Sequence, residues 1–67
     1  MLKVGMEIQT PSLLLKVDAM RGTWVRFLVW DKSAQKWKLR GYTEKAKEIE
    51  EKLESGVYFE VKKEKEN

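Results

Sequence analysis

Residues 23–42 read as one long β-hairpin, and the alternation within it leaves few folds open to the chain. Successive strand side chains point to opposite faces, so Val25, Phe27 and Val29 share one side and Trp24, Arg26, Leu28 and Trp30 the other. The first row is wholly apolar and demands burial. On the return strand Trp37, Leu39 and Gly41 alternate with Lys36, Lys38, Arg40 and Tyr42, which again predicts an apolar row backed by a basic one. The preferred register sets Trp30 opposite Lys38 and Arg26 opposite Tyr42, because a two-residue slip would face Arg26 with Arg40. Both preferred pairs also bring a cation to a ring. The tip, residues 31–36, is polar and faces solvent. On this reading Trp24, Arg26, Trp30, Lys36, Lys38, Arg40 and Tyr42 stand side by side.

The flanking segments supply what the hairpin packs with. Leu2, Val4, Met6 and Ile8 alternate within a first strand over residues 2–9, where Gly5 invites a bend. Pro11 has no amide hydrogen and restricts Thr10, so residues 10–12 form a turn, or a bulge in one bent strand. A second strand follows over residues 13–20, with Leu13, Leu15, Val17 and Ala19 expected inward, and Arg21-Gly22 turns the chain into the hairpin. Thr43 is the expected N-cap of a helix running to about Glu54, with Glu44 in its first turn where the helix dipole favours an anion. Ala46, Ile49 and Leu53 make a narrow apolar stripe on it, and Glu48 and Lys52 a supportive pair. Gly56 ends the helix, being free to adopt the left-handed conformation. Residues 57–63 then alternate, with Val57, Phe59 and Val61 expected inward and Tyr58, Glu60 and Lys62 outward, before a charged tail at 64–67.

The order is β-β-β-β-α-β, with no repeat and no internal linker. It predicts a mainly β fold with one helix (α+β), either a small OB-like or SH3-like barrel or a strongly twisted antiparallel sheet. Sixty-seven residues make one domain, expected over 1–63. A chain this short buries only about 60% of the surface it exposes unfolded, so its core must be compact or completed by a partner.

Composition narrows the chemistry. There is no Cys and no His, so disulfides, zinc sites of the usual ligand types and Cys/His or Ser/His nucleophile pairs are excluded. Glu7, Asp18 and Asp31 lie in separate segments without a shared spacing, and no Gly-rich phosphate loop occurs. The expectation is therefore no enzyme, no catalytic residue, no cofactor and no metal. The charged fraction of 37%, mostly Lys and Glu, fits a hyperthermophile. No signal-peptide pattern opens the chain and no apolar run approaches the length of a membrane span, which predicts a soluble, cytoplasmic protein.

Charge is unevenly distributed. Residues 1–43 carry eight Lys/Arg against three Asp/Glu, whereas residues 44–67 carry six against eight, so the positive field belongs to the sheet-forming half. Phosphates attract Lys16, Arg26, Lys36, Lys38 and Arg40, while Trp24, Trp30 and Tyr42 offer planar faces to unpaired bases. Trp37, on the apolar row, is expected in the core, where an indole pins a small hydrophobic cluster. Trp24 and Trp30 are balanced between an open platform and a face covered by another element. The expected function is binding of nucleic acid, single-stranded DNA or RNA above duplex, because exposed indoles suit unstacked bases. The alternative is an adaptor that docks on a protein or ribonucleoprotein assembly. An unpaired sheet edge would also suit a homodimer.

The stretch Phe27-Leu28-Val29-Trp30-Asp31, followed by Trp37-Lys38-Leu39-Arg40-Gly41-Tyr42, by Glu44 to Leu53 and by Glu54-Ser55-Gly56-Val57, resembles the oligonucleotide-binding (OB) fold of single-strand nucleic-acid-binding proteins. The resemblance covers about Val25 to Val61 and implies nucleic acid lying across Trp24, Arg26, Trp30, Lys38 and Arg40. Two departures accompany it. The turn at Lys32 to Gln35 lacks the usual glycine, and no fifth barrel strand follows the strand after the helix, so the N-terminal strand or a second chain would have to replace it. A weaker likeness, over Val25 to Leu53 with the Arg40-Gly41 step, is to small archaeal chromatin proteins, and implies duplex binding with side chains wedged into the minor groove. The strand after the helix departs from that pattern.

Overall fold

The computed structural model describes residues 1–62. Five strands, β1 (Glu7–Gln9), β2 (Leu14–Arg21), β3 (Trp24–Asp31), β4 (Lys36–Lys45) and β5 (Phe59–Val61), and one helix, α1 (Ala46–Ser55), follow the expected order. The strands form one antiparallel sheet in the order β4-β3-β2-β1-β5. Of the two architectures expected, the open sheet is the one formed: β4 and β5 are its edges and do not pair to close a barrel. The expected tail at 64–67, and Lys63 before it, lie outside the described residues.

One face carries the core. Ile8, Leu15, Val17, Val25 and Phe27 project from it and are essentially inaccessible, and Ile49 of α1 seals them from above. The helix connects the two edge strands in sequence, with Ala46 and Leu53 packed beside Ile49 against the same cluster. Its stripe is as narrow as the sequence predicts. Gly56 ends it with φ +87°, its amide donating to the Leu53 carbonyl, while the Val57 and Tyr58 amides donate to the Lys52 carbonyl. The start differs from expectation. Thr43 is not the N-cap, because β4 continues to Lys45 and the Ala46 amide donates to the Thr23 carbonyl at 2.8 Å. Glu44 is thereby a strand residue, and Glu48 is the acid in the first turn.

The terminal segments are shorter as strands than their patterns suggest. A turn at Lys3 to Met6, with Gly5 at φ +94°, tucks Leu2 and Met6 into the core but throws Val4 into solvent. Leu13 is likewise exposed, being the last residue of a turn in which Thr10 Oγ1 accepts the Ser12 and Leu13 amides. In β2 a bulge at Asp18 shifts the alternation, so that Val17 lies opposite Phe27 but Ala19 opposite Arg26. Ala19 therefore leaves the core row to which its spacing assigned it.

β5 is turned over relative to the prediction. Tyr58 is buried, and Val57, Phe59 and Val61 are exposed. Phe59 pairs with Gln9 and Val61 with Glu7, whereas Ile8, the buried residue of β1, pairs with Glu60. Tyr58 enters the interior because its hydroxyl donates to the Glu44 carboxylate and accepts from the Lys52 ammonium.

The largest departure is the register of the central hairpin. Asp31 lies opposite Lys36 across a four-residue loop, so Trp30 faces Trp37 and Leu28 faces Leu39, and neither the Trp30–Lys38 nor the Arg26–Tyr42 pairing forms. Because side chains alternate with period two, this one-residue difference turns the whole return strand over. A second irregularity follows: Arg40 and Gly41 are inserted between the partners of Leu28 and Phe27. Since the insertion is two residues long, the faces stay in phase, and Tyr42 lies opposite Phe27 and Glu44 opposite Val25.

Candidate nucleic-acid interface

The register decides which side chains share the face left bare by the helix. Trp24, Arg26, Leu28 and Trp30 of β3 project there, as expected, and Lys16 of β2 lies opposite Leu28. Trp37 and Leu39 join them from β4, instead of entering the core. The Trp30 and Trp37 rings meet edge to face, with centroids 5.2 Å apart, an arrangement that sets the positive rim of one ring on the negative face of the other. Lys16 Nζ lies 4.7 Å from the Trp37 ring centroid, and Lys45 Nζ 5.6 Å from that of Trp24. Both are cation–π distances. Leu39 is 59% exposed and Trp24 49%, so the face presents apolar and aromatic surface to solvent among cationic tips.

Four of the eight residues expected at this interface stand elsewhere. Tyr42 belongs to the core side, its ring tilted against Phe27 at 5.7 Å and its hydroxyl donating to Glu44 Oε2 at 3.4 Å. Lys38, opposite the buried Val29, also lies on the core side, and its ammonium holds Asp31 Oδ2 at 2.9 Å. Arg40 contacts the same oxygen at 3.3 Å from the inserted pair. Lys36 is at the tip, opposite Asp31. Asp31 organises this end of the hairpin: its Oδ1 accepts the Ala34 amide at 3.0 Å and its carbonyl accepts the Gln35 amide. The Ala34 amide, with the Lys38 ammonium beside it, holds the Asp31 carboxyl down at about 2.

Trp24, Arg26, Trp30 and Lys16 remain together on the bare face. Arg26 is engaged with Asp18, through Nε to Oδ2 at 2.9 Å and a second nitrogen to the same oxygen at 2.7 Å. This pair is exposed enough for water and salt to weaken it. Arg21, paired with Trp24 across β2 and β3, makes no ion pair among the described residues. Trp24, Arg21 and Arg26 line a groove of about 490 Å³ together with Ala19, Met20 and Thr43. That volume falls in the range of small-ligand sites, about 300–1,000 Å³.

Three contributors were missed by the sequence reading: Trp37, Lys45 and Arg21. The signal for Trp37 is Asp31 itself, since Asp at the first position of a type I turn caps the amides that follow. A four-residue loop after it fixes the register that exposes Trp37. No signal marked Lys45, because its place depends on β4 outrunning the expected helix start.

Among the described residues no three carboxylates gather within reach of one metal ion, and no helix is long and apolar enough to cross a membrane. No protein-family model, curated protein or solved structure matches this chain.

Proposed function

We propose that the protein binds single-stranded nucleic acid on the bare face of its sheet, with Trp24 as the principal stacking surface. The observation that carries this reading is the half-exposed Trp24 indole in a groove between Arg21 and Arg26. A base stacks on the indole, and the flanking phosphates meet Arg21, Arg26 and Lys45, the release of their counterions driving association. Lys16, Trp30 and Trp37 continue the same surface. Lys36, Lys38, Arg40 and Tyr42 are not part of it, because they lie at the tip or on the core side.

A second reading, docking on a protein partner, is favoured by exposed Leu39 on this face and by Phe59, Val61 and the two open sheet edges. Binding to a labelled oligonucleotide separates the two. At low salt a single-stranded oligonucleotide should bind and quench tryptophan fluorescence, and Trp24→Ala should weaken binding by about 1–3 kcal/mol, the contribution of one aromatic stack. Absence of binding at about 50 mM salt would remove the nucleic-acid reading and leave the protein partner.

A further inference from the structure

Resting on that reading, we infer that the ligand is a strand of at least four nucleotides, held at two stations along β3: the Trp24 groove and a second groove at Trp30. The second groove, of about 500 Å³, is lined by Trp30 and Lys32 with Gln9, Pro11, Leu13 and Leu14. It repeats the elements of the first, an indole beside a cation with an apolar floor. Lys32 makes no ion pair among the described residues, so its charge is available to a phosphate.

The indoles of both grooves project from the same face, since Trp24 and Trp30 occupy the same alternating row of one strand. They stand six positions apart, which at about 3.3 Å per residue is roughly 20 Å. Stacked nucleotides advance about 3.4 Å each and a stretched strand roughly twice that, so about three extended steps connect a base on Trp24 with one at Trp30. The intervening surface is Arg26, Leu28 and, from β2, Lys16, cations that follow a backbone and an apolar patch that tolerates any base. The face holds Lys16, Arg21, Arg26 and Lys45 against Asp18 and Glu7, with Lys32 in the loop beside Trp30, so a polyanion is the occupant its charge suits. A duplex cannot splay a base into each groove without unpairing, and a mononucleotide reaches one groove only.

Oligothymidylates of two to ten nucleotides, and a duplex of the same length as the longest, test this by tryptophan quenching at low salt. Affinity should rise sharply once the strand reaches about four or five nucleotides, and the duplex should bind more weakly than the single strand. Trp30→Ala should cost the long strand between about fivefold and a hundredfold while leaving a dinucleotide unaffected. Because Trp30 also supports Trp37, the exposed Lys32→Glu provides a variant that spares packing, and it should likewise abolish the rise with length. An affinity independent of length, or a rise that survives both substitutions, overturns the second station while leaving the Trp24 site intact. No binding at any length defeats the underlying nucleic-acid reading instead.

Discussion

Glu44 shows how one side chain is fitted to the helix–sheet junction. Its carboxylate accepts the Tyr58 hydroxyl at 2.9 Å, the Tyr42 hydroxyl at 3.4 Å and the Lys52 ammonium at 3.2 Å. A carboxylate turned toward the core is costly unless its lone pairs are taken up, and three donors from β4, α1 and the residue before β5 do so. The same cluster keeps its tyrosines protonated. Burial is the first cause, and the neighbouring carboxylate adds to it, so both Tyr42 and Tyr58 are pushed above the ordinary tyrosine value. A group whose folded value is raised stabilises the fold below its unfolded value and ceases to do so as pH climbs past it. Thermal stability should therefore decline above about pH 10, where tyrosine ionises in the unfolded chain. Tyr42→Phe keeps the ring against Phe27 and removes one of the two titrating hydroxyls, so its melting temperature should fall less steeply over the same range. Equal alkaline slopes for the variant and the parent would show that the cluster does not couple to folding.

At the scale of elements, the central hairpin is where pattern and structure part. The β3 rows were legible because Val25, Phe27 and Val29 are uniformly apolar, and burial follows. Trp37-Lys38-Leu39 is ambiguous by the same logic: alternation alone cannot say whether the large apolar residues or the long-stemmed lysines turn inward, and loop length decides. The capped four-residue turn from Asp31 decides against the core. Phe59 and Val61 repeat the lesson, since Tyr58 outcompetes them for the interior by bringing a hydroxyl to Glu44. The helix was legible at its end and not at its start, because Gly56 is a stop written in the backbone whereas the strand-to-helix change at Ala46 depends on a distant acceptor, the Thr23 carbonyl. Gly41 carries the remaining strain of β4. It sits in the inserted pair at φ +69°, and a Cβ there would touch nothing within 4 Å. The cost of Gly41→Ala is thus conformational, about 1–2 kcal/mol for an L-residue in the left-handed region. Chemical denaturation should register that loss with an unchanged denaturant dependence. A neutral substitution would mean that the two-residue insertion relaxes without the glycine.

For the molecule as a whole, the open sheet gives one protected side and one bare side. The helix packs on the core face through Ala46, Ile49 and Leu53, and among the described residues no helix lies on the opposite face, where Lys16, Arg21, Arg26 and Lys45 accompany three indoles. The site was half legible: Trp24, Trp30, Arg26 and Lys16 were read from β2 and β3, while the β4 contributors were exchanged by the register. That exchange changes what a salt experiment should find. Had Lys36, Lys38 and Arg40 belonged to the surface, removing them would have eliminated phosphate contacts. Two of them instead serve Asp31, so Lys38→Gln should leave the salt dependence of oligonucleotide binding unaltered even if it loosens the hairpin tip. Arg21→Gln and Lys45→Gln act on the bare face. Each should lower the slope of log K against log salt by roughly 0.7, the value for one single-strand phosphate contact. Titrations of the parent and the three variants between about 50 and 200 mM salt make the comparison internally. If Lys38→Gln flattens the slope as much as Arg21→Gln does, phosphates are contacted on the core side of β4 and the bare face is not the binding surface.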